Sequence, residues 1–156
     1  MTSFERQAGI IGVGYEGRNI SELVDDLMKL GVSRLVDVRL NPISRKPGLS
    51  KTALSRALTD AGISYVHRRE LGNPKVNRAG FAGPPSELAQ ARSTYRAMLD
   101  RPEANDALEE IASAGRIQLV ALLCFEADQR RCHRDVLLQE AQRRFLTASA
   151  SKHPRR

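Results

Sequence analysis

The sequence predicts a single three-layer α/β domain around a mostly parallel sheet of roughly four strands. Three observations carry this. A chain of 156 residues suits one domain with a core large enough to need no staples. Short apolar runs alternate with longer segments whose apolar residues recur at helical spacing. Glycines and prolines punctuate the junctions, so helices fall between strands, as parallel pairing requires. Crossovers of this kind are right-handed, and all four strand exits then share one edge. The domain is expected over 1–148, with 149–156 as a disordered basic tail.

Gly9-Ile10-Ile11-Gly12-Val13 reads as the first strand. Ile20, Leu23, Val24, Leu27 and Met28 then mark one helical face, with Asn19 and Glu22 as a capping box and Gly31 as the stop. Arg34–Val38 is the second strand. A polar loop from Arg39 to Leu49 leads to Ser50, a candidate cap for a helix carrying Leu54, Ala57, Leu58 and Ala61 and ended by Gly62. Ile63–Val66 is the third strand, leaving through His67-Arg68-Arg69-Glu70. Asn73–Pro85 is rich in proline and glycine and reads as a long irregular loop, the kind that serves as a lid. Helices follow near Ser86–Leu99 and Glu103–Ala114. Ile117–Cys124 is the fourth strand, and a last helix carries Leu137, Leu138, Ala141 and Phe145.

Composition narrows the function classes. No stretch approaches the roughly 18 apolar residues of a membrane span. Two cysteines without a secretory signal point to the reducing cytoplasm, where thiols are more often catalytic, redox-active or metal-binding than structural. The formal net charge is +7, of which Lys152, Arg155 and Arg156 supply three, leaving four for the body. That balance suits an anionic small molecule or nucleic acid as partner. The few aromatic residues give little support to a stacking platform for single strands.

The chemistry-bearing residues gather at the strand exits, where open α/β sheets bind ligands. Glu16 and Arg18 follow the first strand, Asp37 and Arg39 the second, His67 and Glu70 the third. The fourth leads into Cys124, Glu126, Asp128, Cys132, His133 and Arg134. If Asp128 caps the last helix, Cys132 lies in its first turn, and the helix dipole with Arg131, His133 and Arg134 favours the thiolate. Cys124 either pairs with Cys132 or closes the buried strand as a small apolar residue.

Three further patterns have weaker physics. Gly12-Val13-Gly14-Tyr15-Glu16-Gly17 matches G-x-G-x-x-G, with Asp37 20 residues beyond Gly17. However, Arg18 and Asn19 separate the last glycine from the helix, and Glu16 would face a pyrophosphate. Cys124 to Arg130 has the C-x5-R spacing of a phosphate cradle but contains Glu126, Asp128 and no glycine. His67, Cys124, Cys132 and His133 are the right types for zinc but lack a C-x-x-C pair. No cofactor or metal is therefore expected, with a dinucleotide or zinc as lesser alternatives.

Taken together, Gly12-Val13-Gly14-Tyr15-Glu16-Gly17-Arg18, Val36-Asp37-Val38-Arg39 with Asn41-Pro42, Glu70-Leu71-Gly72-Asn73-Pro74 and Cys124-Phe125-Glu126 with Cys132-His133-Arg134 resemble domain-of-unknown-function family 488. The resemblance runs from about Ile10 to Phe145. It implies an α/β domain whose polar motifs suggest an enzyme, and leaves the reaction open.

The first expectation is thus an intracellular enzyme acting on an anionic or polar substrate. Cys132 is its nucleophile or, with Cys124, its redox thiol, and His133 or His67 is the proton partner. Glu126 and Asp37 act as acid–base groups, while Glu16, Arg18, Arg39, His67, Glu70 and Arg134 bind substrate or fix one another. A binding module for nucleotides or nucleic acid, without catalysis, is the second, and a thiol redox or metal-binding protein the third.

Overall fold

A computed structural model describes residues 8–151 of the chain. Four strands, β1 (Gly9–Gly14), β2 (Arg34–Asp37), β3 (Ser64–His67) and β4 (Leu119–Cys124), form one sheet in the order β1-β4-β2-β3. Every pair is parallel. The fold is therefore the expected three-layer α/β domain.

Handedness explains the layers. Helices α1 (Ile20–Leu30) and α2 (Lys51–Asp60) carry the chain from β1 to β2 to β3 in one direction, so both cover the same face. The return from β3 to β4 reverses direction and must cross the opposite face. That face holds α3 (Lys75–Phe81), α4 (Pro85–Met98), α5 (Pro102–Gly115) and α6 (His133–Ser151). Strand β4 is inserted between β1 and β2 and is buried at all six positions. Its side chains alternate: Leu119, Ala121 and Leu123 pack with α1 and α2, whereas Val120, Leu122 and Cys124 pack with α4–α6.

The local signals behave as their chemistry requires. Asn19 accepts from the Glu22 amide and Glu22 accepts from the Asn19 amide, both at 2.8 Å, closing the capping box of α1. Gly31 ends the helix at φ 83°, where a side chain would be strained. Ser50 precedes α2, but its hydroxyl accepts from the Ser44 amide at 2.9 Å and makes no cap bond. It fastens the β2–α2 loop instead.

One expectation is corrected. Asn73–Pro85 is not irregular throughout, because α3 occupies its centre. Phe81 is buried there, and the Asn77 amide donates to Asn73 Oδ1 and to the Ala91 carbonyl, both at 3.0 Å. These tertiary partners hold a helix too short to stand by itself. At the other end α6 runs to Ser151; from Lys152 onward the expected basic tail lies outside the described residues.

Candidate functional site

The alternation of β4 puts the Cys124 side chain on the α6 face. Beyond it, Asp128 accepts from the Arg130 amide at 3.1 Å and starts a 3-10 turn over Gln129–Arg131. This corrects the expectation that Asp128 caps the last helix with Cys132 in its first turn. Cys132 is extended (φ −135°, ψ 143°) and is itself the residue before α6. Its Sγ accepts from the Arg134 amide at 3.4 Å, and its carbonyl accepts from the Asp135 amide at 3.0 Å. A cysteine sulfur in this capping position faces the positive end of a helix directly. The loop brings it back onto Cys124, and the two sulfurs are bonded.

His133, the first residue of α6, is 7 % exposed. Its Nε2 lies 2.9 Å from the Val38 carbonyl, which can only accept, so Nε2 carries the proton. Nδ1 is left with a free lone pair 3.7 Å from Cys132 Sγ. Burial brings the pKa of the ring down to about 4, the Arg134 and Arg78 charges add to the shift, and the bond to Val38 opposes it. The imidazole is therefore neutral near pH 7 and acts as a lone-pair donor rather than a proton store.

Arg134 is 1 % exposed and lies beneath the sulfurs. Its Nη1 donates to the carbonyls of Val13 (3.0 Å) and Glu126 (2.9 Å) and sits 4.0 Å from Cys124 Sγ; its Nε donates to Gln129 at 2.8 Å. It ties the ends of β1 and β4 together and holds a fixed positive charge under the cysteines. Gly14 makes this possible: a Cβ there would collide with the Glu126 carbonyl and with Arg134. That close approach accounts for one glycine of the G-x-G-x-x-G pattern, and Gly12, which abuts Gln129, for another. Arg130 of the C-x5-R pattern is exposed, and its carbonyl accepts from Arg92 at 3.0 Å.

At the end of β2 a second polar group forms. Arg39 Nε and Nη2 donate to Asp37 at 2.8 and 2.6 Å, while Nη1 donates to the Leu49 carbonyl at 2.7 Å and to Tyr15 Oη at 3.3 Å. Tyr65 Oη donates to Asp37 at 2.5 Å. Burial opposes the Arg39 charge, but the bonds and attraction to Asp37 outweigh it and raise its pKa above the usual arginine value. Burial and the bond to Asp37 likewise raise the Tyr65 pKa.

A cavity of about 130 Å³ lies between the ends of β4 and β2. These are neighbouring strands whose onward helices cover opposite faces, the switch point at which such sheets bind ligands. Cys124, Glu126, Cys132 and His133 line it from the β4 side, and Tyr15, Arg39, Leu40, Asn41 and Ile43 from the β1 and β2 loops. Asn73, Arg78 and Phe81 close it from the α3 side. It is well below the roughly 300–1,000 Å³ of pockets for drug-sized ligands, so it suits a small group or one end of a larger molecule.

Of the residues expected at a shared site, Arg39, Cys124, Glu126, Cys132 and His133 meet here. Asp37 has no exposure and lies behind Arg39, not in the cavity wall. Glu16 accepts the Ala127 amide at 2.9 Å and joins two loops. Arg18 pairs with Asp26 at 2.9 Å, and His67 Nε2 donates to the Arg39 carbonyl at 2.8 Å. Glu70 borders a separate groove with Arg69 and Arg101. Arg134 is reserved by its carbonyl partners. Charge at a strand exit marks the right edge but does not decide which way a side chain turns.

Asn73 and Arg78 are the residues sequence reasoning missed. Asn73 is 3 % exposed; Asn77 occupies its Oδ1, and its Nδ2 has no protein partner among the described residues. Arg78 is exposed and makes no ion pair among the described residues. A signal for Asn73 was present in Asn73-Pro74, since a proline biases the residue before it toward extended backbone.

The family model described as "Domain of unknown function DUF488" matches residues 19–141. The chain belongs to that family. No match to it is found among curated proteins or among solved structures. No helix among the described residues is long and apolar enough to cross a membrane.

Proposed function

We propose that the protein is an enzyme that uses the Cys124–Cys132 pair to reduce a small anionic or polar substrate. The observation that carries this reading is the junction of both sulfurs at the wall of one cavity that also holds an uncommitted arginine, Arg78. In the dithiol state Cys132 is the attacking sulfur, because the start of α6 and the Arg134 amide favour its thiolate. Cys124 resolves, and Glu126, whose Oε1 lies 3.3 Å from Cys124 Sγ, receives its proton. Arg78 and the free amide of Asn73 hold the substrate's negative charge.

For a substrate X–Y, Cys132 forms a bond to X, and Y leaves with the bonding pair and takes up a proton. Cys124 then attacks Cys132 Sγ, the disulfide forms, and X leaves with its pair and a proton. Two thiols become one disulfide while X–Y becomes XH and YH; a small thiol reductant resets the pair, leaving as its own disulfide.

The test is trapping with a small aromatic disulfide on the reduced chain, read by mass spectrometry. Cys124→Ser should accumulate a mixed disulfide at Cys132, and Cys132→Ser should accumulate far less at Cys124. Equal trapping in the two variants would remove the assigned roles. Paired arginines disfavour a nucleic-acid module: Arg92 engages Asp135, Arg144 engages Glu109 and Glu140, and Arg68 engages Glu110. These pairs absorb much of the positive charge that a phosphate backbone would need.

A further inference from the structure

We infer that the reduced protein binds a thiophilic divalent metal ion, zinc by preference, through Cys124 Sγ, Cys132 Sγ and His133 Nδ1. The three ligand atoms lie within 4.8 Å of one another, and all three residues are buried. Zn–S bonds of about 2.3 Å and a Zn–N bond of about 2.0–2.1 Å at tetrahedral angles put sulfur and nitrogen about 3.6 Å apart. Cys132 Sγ and His133 Nδ1 are 3.7 Å apart. The zinc alternative weighed from the sequence counted His67 together with His133; the His67 ring is turned to the Arg39 carbonyl, whereas His133 stands at the sulfurs.

Further features fit an ion rather than a disulfide alone. The Cα atoms of the two cysteines are 7.6 Å apart, outside the range of about 4.4–6.8 Å usual for bridged pairs. An ion between the sulfurs suits that wider spacing. His133 Nδ1 is a buried acceptor, and sulfurs joined to each other carry no proton to offer it. Its other nitrogen donates to a backbone carbonyl, the second contact that fixes the tautomer of metal-binding histidines. The Arg134 amide, which donates to Cys132 Sγ, would stabilise a bound thiolate. The fourth position faces the cavity, where water or an anion beside Arg78 completes the shell, as in sites with three protein ligands.

The metal and the disulfide exclude each other. Reduction by a small thiol breaks the S–S bond and leaves one electron pair on each sulfur, while the reductant departs as its disulfide and releases two protons. The two thiolates then hold the cation. A bound ion occupies both sulfurs and so silences their redox chemistry until it is removed. The site stands whether or not Cys132 turns over a substrate.

The test uses the full chain, reduced and metal-free, titrated with Co2+. One ion per chain should bind, giving a thiolate-to-cobalt charge-transfer band and the visible bands of a four-coordinate ion, and Zn2+ should displace it. His133→Gln should lose stoichiometric binding, and the oxidised chain should bind none. Zn2+ should also protect both cysteines of the unmutated protein from alkylation, a readout independent of how any variant folds. Absence of the charge-transfer band, its persistence after oxidation, or alkylation undiminished by equimolar Zn2+ would overturn the site. Mixed-disulfide trapping at Cys132, measured with a chelator present, separates this outcome from failure of the thiol reading.

Discussion

Two polar clusters stand at adjacent strand ends, and they differ in how completely their valences are used. At the β2 exit, Asp37 and Arg39 satisfy each other, and Tyr15, Tyr65 and the Leu49 carbonyl take up what remains. At the β4 exit, Cys124, Cys132 and His133 face a cavity; among the described residues nothing takes the second lone pair of His133 and nothing pairs with the nearby Arg78 guanidinium. Strand alternation separates the two: Asp37 follows Leu35 toward the α1–α2 face, whereas Cys124 follows Leu122 toward α6. A closed network gives rigidity and places a loop. An open one can act on something else. Both began as charged or reactive residues at strand exits, so residue type alone does not distinguish them.

The most damaging substitution should be one that opens the first cluster. Asp37→Asn leaves Arg39 with an uncompensated buried charge and should cost about 3–5 kcal/mol of stability, read from the urea denaturation midpoint. An unchanged midpoint would mean that Arg39 finds another partner and that Asp37 is free for chemistry.

Two intermediate effects bear on the second cluster. Reduction of the cysteine pair releases a cross-link across a sequence separation of 8 and should lower stability by about 2 kcal/mol. The same reductant applied to a Cys124→Ser/Cys132→Ser double variant should change nothing; a shift there would place the effect elsewhere. Gly14→Ala drives a methyl group into the Glu126 carbonyl, which Arg134 holds in place. It should cost about 1–3 kcal/mol and slow trapping at Cys132, since the loop that aims the sulfur has to move. Full stability with unaltered trapping would show that this loop yields freely.

Arg78→Ala sharpens the contrast from the other side. An exposed arginine without an ion pair among the described residues should contribute no more than about 0.5 kcal/mol to stability. Its loss should nevertheless abolish protection of Cys132 from alkylation by small anions. If protection survives, the anion is held by Arg39 or Asn73 and the cavity is read wrongly.

The smallest effect is a control remote from both clusters. Glu140 bonds to Arg143 and Arg144, and these contacts, Arg143 first, hold its pKa below the usual carboxylate value although the residue is buried. The folded state therefore takes up this proton less readily than the unfolded one. Its contribution is full above the ordinary carboxylate pKa and fades as pH falls through the lowered folded value. Denaturation midpoints of Glu140→Gln should sit below those of the unmodified chain at pH 7 and converge with them in acid. A gap independent of pH would assign the effect to packing.

Much of the fold was legible from local chemistry. The Asn19–Glu22 box, the Gly31 stop and the wholly apolar β4 mark their elements because capping bonds, left-handed backbone and burial act within a few residues. α3 was hidden because its support comes from Ala91 and from the burial of Phe81, which no local pattern displays. The 3-10 turn before Cys132 was missed for a related reason. An Asp128 that can cap a helix can equally start a tighter turn, and contact with Cys124 favours the latter.

The alternation of strands and helices, the edge on which reactive side chains gather, and the presence of both cysteines around the last strand exit are all written in the local sequence. Those properties follow from periodicity, turn chemistry and chain order, all of short range. Packing between distant segments sets the position of β4 between β1 and β2, the pairing of Arg39 with Asp37, and the meeting of Asn73 and Arg78 with the cysteines at one cavity. Strand order and side-chain partners depend on contacts between segments far apart in the chain, whose free energies no window of neighbouring residues contains.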